Sequence, residues 1–241
     1  MKHNVFLIAL LVWSVQGFSQ SLNLHIAPVF GRQPITQDTW FVSSTGDSIQ
    51  FETIRFYLSA IQFDLNNGQT VSDALPVHLI DIFEPSTLII SLQNIDYKDI
   101  KTIRFNIGID STTSVSGALG GDLDPQKGMY WAWQSGYINM KIEGKSPQCK
   151  NRKNIFQYHI GGYMQPFYAM RSLELPINTK NTVEERNPDT FGKGIKLNVD
   201  LSKFFQKVKI ASQNSIMIPS KEAVQLADLS IHMFSIDGHE K

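Results

Sequence analysis

From Leu22 onward the chain alternates apolar and polar residues in short runs. Leu22, Leu24 and Ile26 share one face of an extended segment, with His25 on the other. Ser48–Glu52 and the β-branched, aromatic run Thr53–Leu65 read as strands that end at the turn Asn66-Asn67-Gly68. Val77–Phe83, Ser86–Leu92, Ile103–Ile109, Tyr137–Gly144, Ile155–Ile160 and Arg171–Leu175 follow as further strands. Ile195–Leu201 has the most regular period of two, with Lys196, Asn198 and Asp200 outward. In Ile155–Ile160 the alternation sets Phe156, Tyr158 and Ile160 on one face and Ile155, Gln157 and His159 on the other. Gly108 in the run Ile103–Ile109 suits a bulge or a close backbone approach.

The pattern changes only near the end. Ser202–Gln206 reads as a helical turn. Ser220 is placed to cap a helix from Lys221 to about Phe234, with Val224, Ala227, Ile231 and Phe234 on its apolar side. Many short strands, frequent turns and one short C-terminal helix predict an all-β protein, an antiparallel β-sandwich. No internal repeat or linker interrupts residues 20–241, which read as a single domain.

The first nineteen residues stand apart. Lys2 and His3 precede the apolar run Val5–Trp13, too short to span a bilayer, and Gly17 and Ser19 supply small residues before a cut ahead of Gln20. This is the pattern of a signal peptide. It predicts export to the periplasm or the extracellular space, with no membrane span.

Composition narrows the chemistry. Lys plus Arg and Asp plus Glu are equal at 22 each, so no net charge attracts nucleic acid or an anionic membrane. The single cysteine, Cys149, excludes an internal disulfide and reads as a buried thiol. There is no Gly-x-Ser-x-Gly, His-Glu-x-x-His, phosphate loop or dinucleotide fingerprint. Asp122 and Asp124 read as turn formers rather than an acid–base pair. The chain is therefore expected to bind rather than catalyse.

The densest aromatic stretch is Leu123–Tyr137, which holds Trp131 and Trp133 beside Tyr130 and Tyr137. A strand there would place both indoles on one face. They could anchor a core, stack a carbohydrate or small ligand, or form part of a chemical site. Outside the signal peptide the histidines are His25, His78, His159, His232 and His239, none in a local ligand motif; His239, two residues from the end, is expected to be disordered. A metal site would have to be assembled from separate strands. Imidazole suits copper and zinc, and His159 is of most interest because Gly161-Gly162 follows it. Met129, Met140, Met164 and Met170 read as packing residues.

Gly128-Met129-Tyr130-Trp131-Ala132-Trp133-Gln134-Ser135-Gly136-Tyr137, followed by Tyr158-His159-Ile160-Gly161-Gly162, resembles the MbnP family of methanobactin-associated, copper-binding secreted proteins. Phe56–Ile61, Val77–Asp81, Ile107–Ser111 and Asp122–Pro125 share the likeness, which covers nearly all of the chain after the signal peptide and resembles relatives of the Bacteroidetes type. The resemblance implies a β-sandwich that holds copper in the bacterial envelope. It also implies oxidation of a tryptophan to kynurenine by a dihaem peroxidase of the MauG type. Carried onto this chain, the metal-site residues are His159 and Trp131 (as kynurenine), with Trp133 the other candidate for oxidation. The loop Ser114–Lys127 lacks the histidine that many proteobacterial relatives carry there. A second imidazole would come from His25, His78 or His232.

Overall fold

The computed structural model describes residues 21–93, 99–133, 136–177 and 193–236. The segment read as a signal peptide and His239 lie outside them.

The strands in chain order are β1 (Ser21–Phe30), β2 (Gln33–Pro34), β3 (Trp40–Val42), β4 (Ser48–Leu65), β5 (Thr70–Ser72), β6 (Val77–Asp81), β7 (Ile89–Gln93) and β8 (Ile100–Ile107). A short helix α1 (Ser111–Val115) precedes β9 (Tyr130–Trp131), β10 (Gly136–Lys145), β11 (Ile155–Gly161), β12 (Arg171–Pro176) and β13 (Lys193–Asp200). The chain then forms α2 (Leu201–Phe205), β14 (Ser215–Ile216), α3 (Lys221–Ser230) and β15 (Phe234–Ile236).

Two sheets face each other. The smaller runs β15-β13-β1-β2, with β7 also on β1. The larger runs β12-β8-β4-β10-β11-β14, with β3, β5 and β6 on β4 and β9 on β10. Strand β4 is its hub. The two runs read separately in the sequence are one strand of 18 residues, which pairs β10 through Gln50–Phe56 and β8 through Leu58–Leu65. Its register slips between Ser59 and Gln62, where Ala60 takes φ 51°. An extra residue there bends the strand around the core.

The sandwich and its short C-terminal helix match the expectation, but not every ladder is antiparallel. β1 pairs β13 in parallel, and β11 pairs β14 in parallel. Parallel neighbours need a long crossover. Here the chain builds most of the larger sheet between β1 and β13, which supplies one. The C-terminal helix is also shorter than its pattern suggested. It stops at Ser230, and Phe234 and Ile236 enter β15 beside β13 instead. Both are buried, so burial in the sheet outweighs continuation of the helical period.

The main core lies between the sheets. Leu22, Leu24 and Ile26 of β1 and Ile195, Leu197 and Val199 of β13 meet Phe51, Phe56, Phe105, Ile142 and Tyr158 of the larger sheet. Phe204 and Phe205 of α2 close one end. A second apolar cluster contains Tyr57, Leu79, Ile109, Leu123, Met129, Trp131, Tyr137 and Ile138. Tyr57 alternates with the core residues Phe56 and Leu58 along β4, so this cluster lies on the opposite, outer face. The connection from β8 to β9 covers it.

Candidate functional site

That connection is pinned by its own polar groups. The Asp110 side chain caps α1 by accepting from Thr113 N at 2.9 Å. Asp122 Oδ2 accepts from Leu79 N at 2.9 Å, while its Oδ1 accepts from Lys127 Nζ at 2.6 Å. Asp124 caps the turn that follows. Asp124 thus takes the turn-forming place read in the sequence, while Asp122 ties the connection to β6 and to Lys127. The Tyr57 hydroxyl donates to Asp122 O at 3.2 Å, and the Tyr137 hydroxyl accepts from Leu119 N at 3.0 Å. Burial raises the pKa of both phenols, so they remain hydrogen-bonding hydroxyls. With its path held at these points, the connection delivers Tyr130 and Trp131 to the edge of β10.

The strand carrying the tryptophans is shorter than expected. β9 contains only Tyr130 and Trp131, paired with Tyr137 and Gly136, and the chain then turns. The two indoles therefore separate in environment. Trp131 is 6% exposed and Trp133 is 64% exposed. Their rings remain in contact, with centroids 5.9 Å apart and planes inclined at 47°.

Trp131 is buried because Gly161 makes room for it. A β-carbon at Gly161 would stand 2.7 Å from Cζ3 and 2.8 Å from Cη2 of the indole. Gly161 is two residues beyond His159 on β11, so both face the same side of that strand. The imidazole therefore stands on the face that carries the indole, about 7 Å along the strand. The two residues singled out in the sequence, His159 and Trp131, thus share the outer face of β11, the indole resting on Gly161 two positions beyond the imidazole.

His159 is 7% exposed, and its Nε2 lies 2.8 Å from Glu143 Oε1. The same oxygen accepts from Gln157 Nε2 at 3.1 Å, and Lys141 Nζ lies 3.8 Å from Oε2. The hydrogen bond from His159 is the largest influence holding the Glu143 carboxyl down at about 2, so it is ionised at neutral pH. An ionised carboxylate only accepts, so Nε2 carries the proton.

The other histidines are placed elsewhere. His25 is on β1 in the smaller sheet, its ring against Gly194. His78 on β6 lies 2.5 Å from Asp73 Oδ2. His232 is exposed on the turn after α3. None shares the β10–β11 ladder with His159. Among the described residues no three His, Cys, Asp or Glu side chains gather as a metal cage. Cys149 is buried, and desolvation raises its pKa, as suits an inert packing thiol.

Glu143 is the site residue that sequence reasoning missed. Only the antiparallel pairing of Lys141 with His159 and of Glu143 with Gln157 brings it to the imidazole. Gly161 carried a usable signal, since a glycine pair after a strand marks a close approach, but the signal did not name what approaches.

These features define a β-sandwich class with an aromatic cluster on its outer face and a histidine held by a carboxylate on the same side. The MbnP family model matches residues 19–218, and the chain belongs to that family. Among solved structures it is similar to MbnP from Methylosinus trichosporium, with TM-score 0.59 and 14% identity over 86% of this chain and 87% of that one. That likeness is one of fold. Comparison with curated proteins gives no significant match. No helix among the described residues is long and apolar enough to cross a membrane.

Proposed function

We propose that this protein is an exported copper-binding protein of the MbnP type that uses His159 and an oxidised Trp131 as donors and performs no catalysis. The observation that carries the reading is the placement of the Trp131 ring on Gly161, next to His159 on one face of β11. Imidazole is a good copper ligand. Intact indole is not, because its nitrogen lone pair belongs to the ring. Opening the indole C2–C3 bond with two oxygen atoms taken from peroxide, which is reduced to water, gives the N-formyl compound; hydrolysis of that group by one water releases formate and leaves an aromatic amine and a ketone. A dihaem peroxidase of the MauG type is the class of oxidant we assign to that step.

The donor set fits copper only in this modified form. Without a cluster of three ionisable ligands among the described residues, His159 alone makes a weak site. With kynurenine at position 131 it has a neighbour that can share a low-coordinate Cu(I). The chain's own part is to hold the imidazole by Glu143, to bury the indole against Gly161, and to cover the indole with the β8–β9 connection.

Intact mass and copper content, measured on the same sample of natively exported protein, test this. We expect a chain cut before Gln20 that has gained one oxygen and lost one carbon, with copper near one per chain. The Trp131→Phe variant should keep its unmodified mass and lose the copper. An unmodified wild-type mass and no copper, after copper has been supplied, would sink the reading.

A second reading is supported by the exposure of Trp133, which suits stacking on a carbohydrate. It predicts glycan binding that Trp133→Ala abolishes, with no dependence on copper.

A further inference from the structure

Apart from the outer aromatic cluster, an open cleft of about 510 Å³ lies at the end of the sandwich that α2 closes. Its walls are the β1–β2 turn from Gly31 to Gln33, β3, and α2 with Gln206 just beyond it. Its floor is apolar. Phe30 and Phe41 line it, both buried, with ring centroids 5.1 Å apart. Asp200 ties two of the walls to each other. Its Oδ1 accepts from Gly31 N at 2.8 Å, from Ser202 N at 3.0 Å and from Ser202 Oγ at 2.7 Å. Asp200 itself does not line the cleft, and no other Asp or Glu among the described residues does.

The cleft presents an aromatic ring, one cation and neutral polar groups. Trp40 is 49% exposed, although its neighbour Phe41 anchors β3 in the core. An indole left half in water offers apolar area that the C–H face of a ring can cover. The Arg32 side chain is exposed and makes no hydrogen bond or ion pair with any described residue. A guanidinium free in this way suits a carboxylate, which it can hold through two parallel bonds. The side-chain amides of Gln33 and Gln206 are also free of partners among the described residues. Amides both donate and accept, as sugar hydroxyls do, whereas an apolar ligand would leave them unpaired. The volume falls within the range of small-molecule sites, about 300–1,000 Å³.

We propose that this cleft binds an acidic sugar: a uronate ring stacked on Trp40, with its carboxylate on Arg32 and its hydroxyls on Gln33 and Gln206. The site is separate from Trp131 and needs no copper. Because the cleft is open, the ring can belong to a longer acidic polysaccharide that runs on past it. Phe41 and Asp200 hold the walls in place before the ligand arrives, so little ordering opposes binding.

Two disaccharides that differ only at C6 test this: cellobiose and its counterpart with both C6 carbons as carboxylates, the β-1,4-linked glucuronate disaccharide. Each is titrated into the full protein by calorimetry, with proton–nitrogen NMR of the indole N–H groups on the same samples. The glucuronate disaccharide should bind about tenfold or more tighter than cellobiose, the margin expected of a charge-assisted hydrogen bond, and should shift the Trp40 signal. Arg32→Gln should bring the two sugars to equal, weak affinity. Trp40→Ala should abolish binding of both. Arg32 and Trp40 are exposed, so both variants should keep the unfolding midpoint of wild type. No binding of either sugar, equal affinity for the two in wild type, or unchanged affinity in Trp40→Ala would overturn the proposal. Binding lost in Trp133→Ala but kept in Trp40→Ala would move the sugar to the outer cluster and overturn this site as well.

Discussion

At residue scale, the site depends on what is missing from one side chain. Gly161 lets an indole lie against backbone, and that contact explains why Trp131 is buried while Trp133, two residues on, is exposed. Restoring a β-carbon meets the ring and Tyr137 O, both under 3.0 Å. The backbone carbonyl cannot yield, so the indole must lift. Gly161→Ala should cost about 1–3 kcal/mol, the usual range for overpacking. Urea unfolding followed by tryptophan fluorescence would show a lower midpoint and a more solvent-exposed native spectrum. An unchanged midpoint and spectrum would mean that the indole does not depend on this glycine.

At element scale, the larger sheet is held across its ladders by charged groups on the face away from the main core. Asp64 on β4 accepts from Arg104 Nε at 2.8 Å and from a second guanidinium nitrogen at 2.7 Å, both reaching from β8. Thr70 on β5 adds a bond at 2.7 Å, so one carboxylate joins three strands. The Arg104 hydrogen bonds lower its pKa from 3.8 to about 2. A carboxyl depressed on folding stabilises the native state above its unfolded pKa, and that contribution fades as pH falls through the folded value. The window is therefore about pH 4 down to about pH 2. Asp64→Asn should unfold at lower urea at neutral pH and lose less stability than wild type across that window. Equal slopes for the two proteins would show that the Asp64–Arg104 pair contributes nothing to acid sensitivity. The pair is only half-buried and screened by solvent, so the neutral-pH difference should be small.

At the scale of the whole molecule, α2 joins the two sheets. Phe205 packs on Phe30 of β1 at 6.5 Å, on Phe51 of β4 at 5.7 Å and on Phe156 of β11 at 5.7 Å. It is fully buried, so Phe205→Ala should cost about 3–5 kcal/mol and lower the unfolding transition of the whole domain. Circular dichroism and tryptophan fluorescence should report the same lowered midpoint. Two separated transitions would mean that the sheets unfold independently and that Phe205 does not join them. The outer aromatic cluster is anchored on this frame through β4 and β10, which carry core residues on one face and Tyr57 and Tyr137 in the outer cluster.

The period-two alternation in β1, β8, β11 and β13 determined these strands and their buried faces, because burial of one face demands that pattern. The alternation also placed His159 on the outer side of β11, away from Phe156 and Tyr158. The MbnP resemblance came from a local run of residues around the tryptophans and needed no coordinates. Long-range partners were a different matter. The parallel pairing of β1 with β13 joins residues far apart in the chain, and local pattern contains no register. The short pieces β2, β9 and β14 pair through two residues each, too few to show a period. Phe234 fitted a helical stripe in the sequence, and only pairing with β13 drew it into a strand. The site was split in the same way. The sequence named His159 and Trp131, but only the tertiary structure set the indole on Gly161 and Glu143 against the imidazole, because both contacts arise from strand pairing rather than from neighbours along the chain.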